Sequence, residues 1–245
     1  MNGISHIWDR WTVRRKWAYD DFGSDRRASF GAQLYQRPID GAVLDALQSE
    51  IDACNRESGL SMRLVLNEPK AFTGFLAHYG KFENAVNYIA LIGKDGEDLY
   101  ETCGYWGERL VLFAETLGLN TCWVAGSYQK SEVKGLVGDG ERLVAVISIG
   151  YGAKLGHAHR SKSFRQVTET KGLVPEWFRA GVEAALKAPT AINQQQFRFF
   201  LDGEGNVRAK ALIGPFAKID LGIVKYHFEI ASGRKLQVGH ARDER

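Results

Sequence analysis

Two separated stretches of this chain share one layout, and that layout constrains the fold more than any single residue. Residues 43 to 66, VLDALQSEIDACNRESGLSMRLVL, and residues 177 to 201, WFRAGVEAALKAPTAINQQQFRFFL, each read as an amphipathic helix, a polar loop and an apolar strand. Further on, GYWGERLVLFAETLG (104 to 118) and IDLGIVKYHFEIASG (219 to 233) both read as helices ended by a glycine suited to a left-handed C-terminal position. An order of elements that recurs once argues for an internal duplication whose two copies share one core. The plainer alternative is that any two helix–loop–strand units look this much alike.

The copies differ in chemistry. Only the second has a proline-started loop of small hydroxyl and amide side chains, with Pro189, Thr190, Ala191, Asn193 and Gln195. Such groups both donate and accept, which suits a flat heteroaromatic ring with mixed polar edges. An ordinary helix C-terminal turn also uses Asn and Thr for local backbone bonds.

The remaining pattern reads as follows. Residues 4 to 14 form an amphipathic helix followed by Arg14 and Arg15, and the turn-rich stretch 19 to 37 holds Arg26, Arg27 and Ser29. A helix starts near Asp40, and short strands are expected at 63 to 67 and 88 to 93. A long helix begins near Gly104 with Leu110, Phe113, Ala114 and Leu117 facing inward, and LGLNTCWVAG (117 to 126) reads as a sharp turn rich in small residues. The β-branched run LVAVISIGYG, 143 to 152, predicts a central strand buried on both faces. Residues 153 to 172 read as a polar loop, RFFL as a strand and DGEGN as the turn of a hairpin. The irregular alternation favours an α+β fold, with a mixed, mainly antiparallel sheet flanked by helices, over a doubly wound parallel sheet. One domain is expected. Pseudo-repeat one spans about 1–152, pseudo-repeat two about 173–233, and 234–245 is a polar tail.

A net charge of +3 over 245 residues falls short of the clustered basic profile of a nucleic-acid binder, and suits an anionic small molecule. Three scattered cysteines without metal-finger spacing, no apolar signal core and no apolar run of membrane length point to a soluble cytoplasmic protein. His157 and His159 lack further ligands at metal-site spacing. GxSxG is absent, and GYGAKLG after the central strand is not followed by a helix pattern, so hydrolase and dinucleotide fingerprints both fail.

Four elements are candidates for one anion- and ring-binding site. Guanidinium groups grip phosphate, and either Arg14 with Arg15, or Arg26 with Arg27 and Ser29, supplies them. The amide loop is the second element. Thr121, Cys122, Trp123, Val124 and Ala125 are the third, where small residues let backbone N–H groups approach a ligand. Arg160 and Lys162, after the central strand, are the fourth. For each of these the bland alternative is a solvated charge or a core turn.

Three segments in this order resemble the FMN-dependent nitroreductase family, and within it the branch whose chain is an internal duplication, typified by thermophilic nitroreductases. APTAINQQQF resembles the family's PSxxNxQPW loop, with Thr190 for Ser, Gln196 for Pro and Phe197 for Trp. GYWGERLVLFAETLGLNTCWVAG resembles its long helix and LGLGTCWVG turn, and IDLGIVKYHFEIA resembles the closing IDLGIAxxHFE segment. The family's opening RRSxRxY motif is altered here. VRRKWAY has Lys16 for Ser and Ala18 for the second Arg, and RRASFGAQLY lacks that Arg.

The resemblance implies FMN as cofactor, NAD(P)H as reductant and a small-molecule electron acceptor such as a nitroaromatic or quinone. It implies that the chain mimics the family's dimer within itself, as a monomer or weak homodimer, and that only one of two pseudo-sites survives. Backbone N–H groups around Thr121 to Ala125 would face the ring's reactive nitrogen, and Asn193 and Gln195 its polar edge or ribityl chain. No side chain is implied as general acid. A non-catalytic flavin-binding protein, or a specialised flavin enzyme such as a dehalogenase, remains the alternative.

Overall fold

The computed structural model describes residues 34–72, 83–126, 128, 133, 135–152, 160–236 and 238. Arg14, Arg15, Arg26, Arg27, Ser29, His157 and His159, and the expected first helix, lie outside these residues.

The first helix of the described chain, α1 (Gly41–Ser58), buries Leu47, Glu50, Ile51 and Cys54, a spacing of three or four residues that makes one inward stripe. It stops at Gly59, whose left-handed φ of 74° is open to glycine at no steric cost. Asn55 then ties the helix end to the chain entering β1 (Arg63–Val65), accepting from the Met62 N–H at 2.8 Å and donating to the Met62 carbonyl at 2.9 Å. Strand β2 (Tyr88–Lys94) leads to α2 (Leu99–Thr116), which is followed by β3 (Asn120–Val124) and β4 (Glu141–Gly150).

These four strands form an antiparallel sheet in the order β1-β2-β4-β3. Its two faces pack on different cores. Ile89, Leu91, Ile147 and Ile149 join Leu110 and Ala114 of α2 in the larger core. Tyr88, Ala90, Ile92, Cys122, Val124 and Val146 join Leu34, Phe72, Tyr128 and Val133 on the other side. Strand β4 is therefore central and buried on both faces, as its β-branched run predicts.

The second part of the chain runs α3 (Phe164–Val167), β5 (Thr168–Thr170), α4 (Glu176–Ala185), β6 (Phe197–Leu201), β7 (Val207–Ala211) and α5 (Ala217–Ser232). Strand β6 pairs parallel with β5 and antiparallel with β7. Alternate residues Phe197, Phe199 and Leu201 are buried, and the Phe199 ring stacks on Phe228 of α5 with centroids 4.9 Å apart. The larger core draws on both parts of the chain, from Leu47 and Leu110 to Phe178 and Phe228.

The class is α+β with mainly antiparallel pairing flanked by helices. Four local expectations change. The strands divide between two sheets, because β1 to β4 pair only among themselves and β5 to β7 only among themselves in the described residues, while α2 and α5 pack on each other. The long helix starts at Leu99, five residues before Gly104, because Gly104 serves as a helix–helix contact rather than a helix start. Residues 120–124 form an edge strand rather than a turn, since the β4 ladder satisfies their backbone, and 164–170 within the expected loop form α3 and β5.

Candidate functional site

The amide loop is built by its own hydrogen bonds and by two neighbours. After α4, the chain makes a short 3₁₀ turn at Ala191–Asn193 in which the Asn193 N–H donates to the Thr190 carbonyl (2.9 Å). Ile192, Asn193 and Gln195 all have positive φ, at 46°, 54° and 47°. For a β-branched isoleucine this is a costly conformation, of the kind held only where the surroundings over-determine it.

The first neighbour is the segment 160–162. The Asn193 Nδ2 donates to the Arg160 carbonyl at 2.8 Å. The Lys162 N–H donates to Gln195 Oε1 at 2.7 Å, and Lys162 Nζ donates to the Gln195 carbonyl at 2.9 Å. Gln195 is 1 % exposed, and its Nε2 donates to the Leu186 carbonyl. Both ends of that side-chain amide are thus spent on backbone groups, and Gln195 scaffolds the loop. Thr190 Oγ1 of this half-buried residue accepts the Gln195 N–H at 3.2 Å, which leaves the hydroxyl proton to donate elsewhere. Asn193 is exposed, and with its Nδ2 on Arg160 it presents its carbonyl oxygen.

The second neighbour is Asp220, in the first turn of α5. One carboxylate oxygen accepts the Ala191 N–H and the other accepts Gln194 Nε2, each at 3.0 Å. Gln194 Nε2 also donates to the Pro215 carbonyl at 2.5 Å, drawing the 212–216 turn against the loop. Asp220 is 2 % exposed, and burial pushes its carboxyl up to about 6, against the two hydrogen bonds that favour the charged form.

The 121–125 segment is organised from the other long helix. Cys122 and Val124 point into the smaller core. Trp123 lies over Gly107 of α2, where a Cβ would come 2.5 Å from its ring, and its Nε1 donates to Glu108 at 2.9 Å. The second oxygen of this buried Glu108 pairs with His227 Nε2 of α5 at 2.7 Å. The indole is therefore held inward as a brace. Among the described strands β3 is the edge of its sheet, so alternate backbone N–H groups on its outer side have no partner in the described sheet. Thr121 and Ala125 are half-buried at the two ends of this edge.

The structure thus joins Arg160, Lys162, Pro189, Thr190, Ala191, Asn193 and Gln195 in one loop cluster. It ties Thr121–Ala125 to that cluster through the α2–α5 pair, by Trp123–Glu108–His227 on one side and Asp220 on the other. Sequence patterning alone did not single out Asp220, Glu108 and His227. For Asp220 and His227, both on α5, a signal was present: that helix carries apolar residues on every face, so a polar side chain among them must be buried and hydrogen-bonded. Among the described residues no cluster of His, Cys, Asp and Glu is arranged to hold a metal ion, and no helix is long and apolar enough to cross a membrane.

Two sheets packed around a tightly crossed pair of long helices form a nitroreductase-like α+β architecture. Residues 29–232 match the family described as "Putative TM nitroreductase", and the chain belongs to this family of oxidoreductases. Its fold is similar to that of a "putative nitroreductase" from Thermotoga maritima, at 20 % identity and a TM-score of 0.59, over 89 % of this chain and 82 % of that one. Structures of a "Putative NADH dehydrogenase/NAD(P)H nitroreductase" from Bacteroides thetaiotaomicron (17 %, TM-score 0.44, 61 % of this chain and 95 % of that one) and an "FMN-dependent Nitroreductase" from Clostridium difficile (18 %, TM-score 0.42, 56 % and 89 %) are more distant. No curated protein matches the chain in sequence.

Proposed function

We propose that the chain binds FMN and passes electrons from NAD(P)H to a small acceptor of the nitroaromatic or quinone type. The observation that carries this reading is the preorganised loop 189–195. Its backbone is locked by Asp220, Lys162 and Gln195, while the Thr190 hydroxyl and the Asn193 carbonyl oxygen stay available. One donor and one acceptor on a rigid turn fit the edge of a flavin ring, which presents both kinds of group. The outer edge of β3 fits the same ligand as a source of backbone N–H donors. A positive side chain, Lys162, lies on the loop, and Arg160 adjoins it, as an anionic cofactor requires.

A bound flavin would supply two-electron redox chemistry between the reductant and the acceptor. The protein's part is placement. Thr190 and Asn193 orient the ring's polar edge, the β3 edge favours negative charge near it, and Arg160 with an N-terminal arginine cluster holds the phosphate. We also read the chain as an internal duplication, α1–β1–β2–α2 against α4–β6–β7–α5, acting as a pseudo-dimer with one surviving site.

The test is direct. Purified protein, reconstituted with FMN and desalted, should keep a flavin absorbance spectrum and oxidise NAD(P)H when a quinone is added. Protein that retains no flavin, and whose fluorescence titration with FMN shows no saturation, overturns the reading.

A further inference from the structure

The loop proposed to hold flavin stores backbone strain, and among the described contacts one buried side chain holds it on its α5 side. Of six described non-glycine residues with positive φ, four are Ile192, Asn193, Gln195 and Phe216. They lie on the two turns that meet at Asp220. Phe216, at φ 59°, immediately precedes α5 and accepts the Asp220 N–H at 3.0 Å. Left-handed residues of this kind persist only where bonded neighbours hold them. On the 160–162 side those neighbours act on Asn193 and Gln195. On the α5 side the only side chain bonded to Ala191 and Gln194 among the described contacts is Asp220.

We propose that Asp220 is the positioning residue of this site: its carboxylate fastens the Ala191–Gln194 turn to α5, and so sets the direction in which Thr190 and Asn193 meet the ligand. The proposal rests on the flavin reading of the loop. Geometry requires a carboxylate and not an amide. Both partners of Asp220, a backbone N–H and the Gln194 Nε2, are donors, so the residue must accept with both oxygens. An asparagine there would set an NH₂ against a donor. Gln194 cannot turn over to receive it without giving up its bond to the Pro215 carbonyl.

The charge is kept at a cost to the fold, because the site is almost fully buried and holds its carboxyl near 6. Among the described residues no charged side chain is hydrogen-bonded to Asp220 or acts on its charge. Lys218 on its own helix is exposed, and α2 brings Glu101, which is paired with Lys225. Arg160 and Lys162 lie at the Asn193–Gln195 side of the loop, and the 212–216 turn carries no ionisable side chain. A buried carboxylate with no countercharge is a poor stabiliser, so its presence here is better explained by what it holds in place.

The experiment compares wild type with Asp220→Asn, which changes volume least, by two readouts. Backbone amide hydrogen exchange across 190–195 in flavin-free protein, corrected for intrinsic rates, should be faster in Asp220→Asn. The FMN dissociation constant, by flavin fluorescence at pH 7.5, should rise about tenfold, the equivalent of one lost hydrogen bond to a charged group. Unchanged exchange overturns the anchor, and faster exchange with unchanged FMN affinity overturns its role in positioning ligand. If neither protein binds FMN, the flavin reading fails and takes the ligand half of the proposal with it, while exchange still decides the anchor. Should Asp220→Asn fail to fold, Gln194→Ala removes the loop-side partner of the same bond and is read in the same way.

Discussion

Gly104 of α2 and Gly222 of α5 meet reciprocally where the two long helices cross. A Cβ on Gly104 would enter the Ile219 carbonyl, and a Cβ on Gly222 would enter the Glu101 carbonyl, each three residues back on the opposite helix. The obstacle is backbone on both sides, so no rotamer change relieves it. Around the crossing, the Tyr105 hydroxyl donates to Glu229 at 2.6 Å and Lys225 pairs with Glu101. The crossing matters to the candidate site because α5 carries Asp220 and α2 carries the residues that brace Trp123.

Gly222→Ala should therefore destabilise strongly. The better helix propensity of alanine, under about 1 kcal/mol, is outweighed by overpacking against fixed backbone, about 3 kcal/mol or more. Gly203→Ala, where an added Cβ meets nothing within 4 Å, should stay within about 0.5 kcal/mol. Denaturant midpoints of the two variants beside wild type check this; equal midpoints would show that the helices can part at no cost.

Arg109 of α2 is 6 % exposed and donates to Glu50 at 2.6 Å and Glu57 at 2.9 Å, joining α1 to α2. Arg109→Met should cost about 3–5 kcal/mol, because it strands the buried Glu50 carboxylate. Adding Glu50→Leu should recover most of that loss, since a well-packed apolar pair replaces a buried ion pair with little penalty. Thermal unfolding of single and double variants tests it, and a double variant no better than the single would refute the desolvation argument.

Stability should carry the signature of Asp220. Its folded carboxyl sits near 6, above its ordinary value of 3.8. The sign follows from proton binding. The folded state holds the proton more tightly, so this group favours folding fully below pH 3.8, and that contribution is lost as the pH rises to about 6. Its size is about 3 kcal/mol. Other carboxylates titrate in the same range, so the quantity to measure is the stability difference between wild type and Asp220→Asn at pH 4 and pH 7. A difference that does not change with pH would show that the group titrates normally.

Asn193→Gly should weaken FMN binding by about 1–3 kcal/mol with little change in melting temperature. Glycine accepts the φ of 54° at this exposed position, so the side chain is removed without added strain. An unchanged FMN dissociation constant together with a large fall in melting temperature would mark Asn193 as a turn residue only.

Flavin should bind once per chain. Only the second copy has the amide loop, and only the first has the TCWVA strand. Flavin released by denaturation and measured against protein should give a ratio near one; a ratio near two would mean that the loop at 56–62 also serves.

Much of the fold is legible in the residues because it depends on local periodicity. The three- and four-residue spacing of Leu47, Ile51 and Cys54, the alternation in Phe197–Leu201, the unbroken apolar run of β4 and the helix-ending Gly59, Gly118 and Gly233 each report an element within one window of sequence. TCWVA did not read correctly, because its small residues suit a turn as well as a strand, and the partner that decides, β4, lies more than 20 residues away.

The site divides along the same line. The sequence by itself determined which side-chain types are available: a proline-started loop with Thr190, Asn193 and Gln195, a basic segment at Arg160 and Lys162, and a run at Thr121–Ala125. Only tertiary structure decided their roles. Gln195 is turned inward to hold Lys162 and the end of α4, Trp123 braces against Glu108, and Asp220, 29 residues from Ala191, becomes the loop's anchor. The physical reason is that an amide or carboxylate has the same hydrogen-bonding capacity wherever it stands. Which donor it meets depends on distant segments packing together, here on two glycines that let α2 and α5 touch backbone to backbone.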